Sequence, residues 1–306
     1  MQTEADILVI GGGIAGFSAA LCAARLGYTT HVLTGATLGG HLISIESIEG
    51  YPGFEEGVPG YDLCPIVQAQ ATDAGAGVAM AEATTIAAHD GGWRVTSPAG
   101  DYLARSIIAA TGTRLRALGV QGETELFGKG VSHCASCDAP LLGGKPVVVV
   151  GGGDSAAQEA LFLVPHAATV TIVHHGAALT CQRSFAERLE TADNIEYVPN
   201  ASVAAVLGDE AVTGVAILDA QGAKSEREAA GVFVYIGLAP CTQWLEGIVE
   251  LNDSGHVITD ARLTTSAAGI FAAGTLRAGS HGRAAAAAGE GTAAALAAGE
   301  FLGGTA

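Results

Sequence analysis

Twice in this chain a short apolar run ends in three consecutive glycines and passes into alanine-rich helical sequence. Residues 6–10 lead into Gly11-Gly12-Gly13-Ile14-Ala15-Gly16 and helical sequence to Arg25. Residues 147–150 lead into Gly151-Gly152-Gly153-Asp154-Ser155-Ala156 and a helical stretch ending near Val164. A second apolar strand follows each, at 30–33 and 169–173. Strand, glycine turn, helix and second strand make the β-α-β unit of a dinucleotide-binding fold. Gly11 and Gly151 permit the tight turn, and Gly13 and Gly153 let backbone approach a pyrophosphate. Gly16 and Ala156 let the helix pack close on the strand. The helix N-terminus then turns its positive dipole end toward the phosphates. One such loop is a weak signal. Two in the same setting predict an α/β protein of two Rossmann-like, three-layer ββα dinucleotide-binding domains.

Alternating β-type segments occur at 93–97, 102–108, 202–207, 212–218 and 232–236. Another short buried strand falls within 269–274, and at Arg283 an alanine-rich helix begins. The second unit therefore reads as inserted into the first. The expected boundaries are 1–115 and 247–306 for one domain and 116–246 for the inserted one.

Lys and Arg total 14 against 31 Asp and Glu in 306 residues, a formal charge of −17. That balance excludes nucleic acid as a partner, because phosphate binding needs a basic face. It disfavours anionic membrane surfaces for the same reason. Apolar residues at 49% with only 15% charged argue for a packed core rather than disorder. Residues 7–24 form an uncharged run as long as a membrane span, but Gly11, Gly12, Gly13 and Gly16 interrupt it. Glu4 and Asp6 precede it where a signal peptide has basic residues. The expectation is a soluble, cytoplasmic protein.

Four of the six cysteines, Cys22, Cys64, Cys181 and Cys241, are scattered singletons. The other two form one C-x-x-C, Cys134-Ala135-Ser136-Cys137. A secreted disulfide scaffold would be shorter and denser in cysteine. A structural zinc site would need a second ligand pair at close spacing, so no metal is expected. A redox pair is the better reading: a dithiol at this spacing can close into a small disulfide ring.

On these residues the chain resembles the low-molecular-weight, FAD-dependent thioredoxin reductases over nearly its whole length. The matching segments are 11–16, 38–42 (Leu-Gly-Gly-His-Leu), 50–54 (Gly-Tyr-Pro-Gly-Phe), 110–112, 131–138, 151–156, 235–240, 271–274 and 283–291. The C-x-x-C followed by Asp138, placed between the two glycine loops, is the most specific of them. The resemblance implies that Gly11, Gly13 and Gly16 hold the FAD pyrophosphate. It places Thr34, Gly39, Gly40, His41, Leu42, Thr111, Gly112, Gly274, Thr275, Arg283 and Ala284 around the rest of that cofactor. Gly151, Gly153, Asp154, Ser155, Ala156, His174 and His175 would form a nicotinamide-nucleotide site. Cys137 would be the flavin-proximal thiol, Cys134 the interchange thiol that meets substrate, and Asp138 the proton donor and acceptor. A homodimer is implied as well.

The departures from the family matter as much as the matches. NADPH-using members carry a cluster of arginines after the second unit's second strand, where this chain has His175, Gly176 and Thr180. Neutral His, Gly and Thr offer no permanent cation for a 2′-phosphate. No acidic residue stands there to clamp an NAD ribose either, so neither NADPH nor NADH is selected. In the first unit Thr34 replaces an acid at the end of the second strand. Thr275 replaces the aspartate that contacts the flavin ribityl chain, and Ala284 replaces a glutamine. Three readings follow. The first is a nicotinamide-dependent reductase of thioredoxin or a similar dithiol protein. The second is a dithiol oxidase acting on a protein or small-molecule dithiol and passing electrons to oxygen. The third is a flavin-binding protein with little turnover. The missing clamps favour the last two, whereas Asp138 and the intact 151–156 loop favour the first.

Overall fold

In the computed structural model, which describes residues 2–303, the first apolar run becomes β1 (Gln2–Ile10), starting four residues earlier than the pattern predicts. Ile7, Leu8, Val9 and Ile10 are all buried, as a central parallel strand covered on both faces requires. After α1 (Ile14–Arg25) come β2 (Thr30–Leu33), α2 (Gly60–Asp73), β3 (Gly77–Ala79), β4 (Thr85–His89), β5 (Gly92–Ser97) and β6 (Gly100–Ala109). Their order in the sheet is β3-β2-β1-β6-β5-β4. The pairs from β3 to β6 are parallel, whereas β5 and β4 add as an antiparallel meander. β7 (Thr113–Leu115) leads into the second compact unit, Leu115–Leu238.

That unit runs β8 (Val131–Ser132), α3 (Ala135–Asp138), β9 (Pro146–Val150), α4 (Asp154–Leu163), β10 (Thr169–Val173), α5 (Arg183–Glu190) and β11 (Ile195–Val198). It continues through β12 (Ala201–Leu207), β13 (Gly214–Asp219), β14 (Lys224–Glu228) and β15 (Gly231–Val234). The parallel sheet has the order β11-β10-β9-β15-β8, and β12-β13-β14 form a separate antiparallel sheet. The four valines of β9 show the layering. Val147 and Val149 pack with Ala160, Leu163 and Phe185 of α4 and α5, while Val148 and Val150 pack with Val203 and Val215 of the antiparallel sheet. Period-2 alternation thus sends one set of side chains to each layer.

The strand expected at 212–218 begins at Gly214, because the Val212 and Thr213 amides turn to Lys129 and Leu207 carbonyls. β14 is exposed along its whole length and is held by backbone pairing to β13. The chain returns through β16 (Leu238–Pro240), which pairs with β7, then β17 (Ile270–Ala272), parallel to β6, and α6 (Ala284–Phe301). The first unit resumes at Ala239 rather than at 247, since the Cys241 amide already bonds the Gly112 carbonyl at 3.0 Å. No helix among the described residues is long and apolar enough to cross a membrane.

In the first unit α1 and α6 pack backbone to backbone. A Cβ on Gly291 would overlap the Ala15 carbonyl oxygen, whereas one on Gly289 would meet nothing within 4 Å. The two glycines lie on the same helix, so alanine should have opposite effects at them. Gly289→Ala gains helix propensity and raises stability by about 0.5–1 kcal/mol. Gly291→Ala must push the helices apart and costs about 1–3 kcal/mol. Urea unfolding of the two variants checks this, the midpoint rising for the first and falling for the second.

Candidate active site

The first unit carries a cradle built from two glycine loops and one turn. Gly11 has φ +126°, and a Cβ there would overlap the Ala110 carbonyl; a Cβ on Gly16 would overlap that of Gly11. Gly13 is the N-cap of α1, with no capping side chain and no acid in the first turn. A Cβ on Gly13 would meet nothing within 4 Å, so open space lies in front of the helix N-terminus. The second loop lies beside it: the Gly39 amide bonds the Gly12 carbonyl at 2.9 Å, and Gly13 and Gly39 form a parallel bridge. Gly40, His41 and Leu42 follow in a short 3-10 turn, with His41 exposed and Leu42 half-buried.

Thr34, directly after β2, presents a buried hydroxyl that donates to the Gly35 carbonyl at 3.0 Å. Thr111 is similarly engaged, its Oγ1 donating to the Cys241 carbonyl at 2.6 Å. The hydroxyls of Thr113 and Thr275 lie 3.0 Å apart, beside Gly112. Glu290 of α6 holds this turn. Its Oε2 accepts the Gly274 amide at 2.7 Å, and its carboxylate pairs with Arg277, the shortest contact being 2.7 Å. Arg277 and Glu290 are only 16% and 14% exposed, so the bonds on both carboxylate oxygens are what make the pair tolerable away from water. Arg283 is exposed, and Ala284 opens α6 half-buried. The uncapped helix end, the open Gly13 and the half-buried Thr275 fit FAD, although the acids expected at 34 and 275 are threonines.

The second unit carries the sulfurs. Cys134 and Cys137 form a disulfide, with Cα atoms 5.3 Å apart. Cys134 is half-buried and Cys137 exposed. Cys134 is the N-cap of the single turn α3, and its Sγ accepts the Cys137 amide at 3.3 Å. Its own backbone is fixed by Ser132, whose Oγ accepts the Cys134 amide at 3.0 Å. Asp138, half-buried, closes the same turn, so both sulfurs and this acid share one short segment. His133, next to Cys134, stacks edge-on to Phe127 with its Nε2 buried and unpartnered, and burial lowers its pKa.

The second glycine loop repeats the first. Gly151 has φ +135° with the Tyr235 carbonyl where a Cβ would lie, and Gly153 is an uncapped N-cap open in front. Ala156 is buried under the helix and Ser155 is exposed. Thr180 bonds back to the Gly152 carbonyl through its amide at 2.7 Å, and the Gln182 amide reaches Asp154 at 2.6 Å. His174 is buried against Gly152 with its Nδ1 unpartnered, and burial, then the charge of His175, lower its pKa. His175 is exposed, and Arg183, nearby in sequence, is paired with Glu187 at 2.6 Å. The loop thus fits a pyrophosphate, but residues 174–180 supply no fixed cation and do not fit a 2′-phosphate.

Glu159, Tyr235, Thr113, Glu290 and Arg277 are among the polar residues at these sites whose roles sequence reading did not single out. Each acts on a partner distant in sequence, which local patterns do not reveal.

Two nucleotide-type loops in two ββα units, one unit bearing a closed C-x-x-C, define a pyridine nucleotide–disulphide oxidoreductase. The family model of that description matches residues 5–291. The chain is 38% identical over 303 residues to a thioredoxin reductase of Treponema pallidum, covering 99% of this chain and 98% of that one. It is 38% identical to a bifunctional thioredoxin reductase/thioredoxin of Mycobacterium leprae, covering 98% of this chain and 66% of the relative. Among solved structures, the thioredoxin reductase of Lactococcus lactis superposes with a TM-score of 0.94 at 31% identity, covering 97% of this chain and 99% of that one. The chain belongs to the low-molecular-weight thioredoxin reductase family of FAD-dependent disulfide oxidoreductases.

Proposed function

We propose that this protein moves electrons between FAD and a dithiol protein of the thioredoxin type through Cys134 and Cys137. The single observation that carries the reading is the Cys134–Cys137 disulfide, closed on a turn that donates an amide to Cys134. FAD, when bound, supplies or accepts the two electrons that open or close this disulfide. Gly11, Gly13 and Gly16 with the N-terminus of α1 hold its pyrophosphate. Gly39, Gly40 and the 274–275 turn hold the remainder.

The exchange itself belongs to the cysteines. In the reduced pair, the Cys137 amide stabilises a thiolate on Cys134, which makes Cys134 the nucleophile. Its sulfur attacks the partner's disulfide, forming a Cys134–partner mixed disulfide and releasing one partner thiolate. The Cys137 thiolate then attacks Cys134 Sγ, reforms the internal disulfide and releases the second partner thiolate. Asp138 holds or returns protons as these thiolates form and leave. The same steps in reverse oxidise a dithiol.

The absence of a fixed cation at His175, Gly176 and Thr180 favours an electron source other than NADPH, or a dithiol oxidase that passes electrons to oxygen. A homodimer in the cytoplasm is part of this reading. An anaerobic absorbance titration separates the alternatives. Bleaching of a flavin band by micromolar NADPH or NADH supports the reductase. Bleaching by dithiol alone, with colour returning in air, supports the oxidase. A protein that takes up no flavin contradicts both.

The replaced acids give a second expected result. Thr34→Glu would place an acceptor where the adenosine ribose of FAD would lie, and Thr275→Asp would place one beside Thr113. A hydrogen bond to a charged group contributes about 1.5–3 kcal/mol, so each variant should bind FAD about 10–100-fold more tightly. Fluorescence titration of the flavin-stripped protein reads this directly, and unchanged affinity in both variants contradicts the placement.

A further inference from the structure

Glu159 of α4 places a carboxylate against the redox turn. Its Oε2 accepts the Ala135 amide at 3.0 Å and the Tyr235 hydroxyl at 3.1 Å. Ala135 follows Cys134 directly, so this bond pins the peptide that joins the nucleophilic cysteine to its turn. Tyr235, directly after β15, is 6% exposed. Burial first, then the charge and hydrogen bond of Glu159, push its phenol far above the usual range. It therefore remains a donor to Glu159, and it also feels the charge of Asp138 and the Ala135 backbone. The acid, the phenol and the disulfide all belong to the second unit.

We infer that Glu159 is a positioning residue for the Cys134–Cys137 pair: it fixes the Ala135 peptide, and its negative charge biases the pair toward the disulfide. The physical reason is an asymmetry between the two redox states. A disulfide is neutral, whereas the reduced pair carries thiolate character that a neighbouring carboxylate disfavours. Tyr235 moderates that charge by donating to it.

The inference rests on Cys134–Cys137 being the working redox pair, and one experiment separates the two claims. Full-length protein is equilibrated at pH 7 in glutathione buffers of graded redox ratio. Free thiols are then trapped with a maleimide, and the peptide carrying residues 134–137 is quantified by mass. Glu159→Gln keeps the acceptor and the shape but removes the charge. It should shift the equilibrium toward the dithiol about tenfold, ~30 mV. Tyr235→Phe removes the donor, leaves the carboxylate less neutralised and should shift the equilibrium toward the disulfide. Opposite signs are a signature that general loosening of the turn does not produce. No shift in Glu159→Gln, or shifts of the same sign in both variants, overturns the inference. Should Glu159→Gln fail to fold, Tyr235→Phe decides alone: an unchanged equilibrium or a shift toward the dithiol overturns it. Should the parental pair show no exchange with glutathione, the redox-pair reading fails first.

Discussion

Serine at Cys134 should remove all detectable dithiol turnover while leaving flavin bound at parental affinity. Cys134 lies in the second unit, whereas the proposed FAD cradle, around Gly11–Gly13, Gly39 and Gly274, lies in the first. The substitution therefore removes a reactant without altering that cradle. An oxygen in place of sulfur keeps the N-cap acceptor for the Cys137 amide, so α3 has no reason to unwind. Serine at Cys137 should abolish turnover equally but leave a different record. The Cys134 thiolate still attacks the partner's disulfide, and without a resolving thiol the mixed disulfide accumulates. Non-reducing mass analysis after incubation with an oxidised thioredoxin should show one partner per chain, attached at Cys134. An adduct at Cys137 in the Cys134→Ser variant would reverse the two roles. Parental turnover in both single variants would remove the pair from the chemistry altogether.

The elements readable in the sequence are those whose side chains record their surroundings. Residues 7–10 of β1 and 147–150 of β9 are buried and appear as unbroken apolar runs, and Gly11 and Gly151 after them mark turns that tolerate little else. The C-x-x-C is equally plain, because its chemistry lies in a four-residue spacing. β14 has the sequence Lys-Ser-Glu-Arg-Glu, all exposed, and owes its existence to the β13 backbone, so it shows no alternation. α2 carries Pro65 inside it, which breaks the pattern that would have marked a helix. The long-range polar partners are invisible for a different reason. Glu159 and Glu290 sit in helices where a glutamate is unremarkable, and only the fold brings the Ala135 amide to one and the Gly274 amide to the other.

Arginine at positions 175, 176 and 180 together should convert the second glycine loop into an NADPH site. The loop already offers an open Gly153 at the N-terminus of α4, and the Thr180 amide is tied to Gly152, so position 180 is held beside the loop. Fixed positive charge is the missing property. His174 is buried with a lowered pKa and adds none at neutral pH, while Arg183 is engaged by Glu187. A charged hydrogen bond to phosphate contributes roughly 1.5–3 kcal/mol, so the His175→Arg, Gly176→Arg, Thr180→Arg variant should need about 10–100-fold less NADPH to bleach the flavin anaerobically. NADH carries no 2′-phosphate, and its requirement should change by less than about threefold. The contrast between the two nucleotides is what makes the result informative. An equal gain for both would mean that the arginines merely raise the local positive potential on a chain of net charge −17. No gain for either would mean that the second loop does not receive a nucleotide in this protein. Electrons would then enter through the cysteines themselves, which is the direction a dithiol oxidase requires.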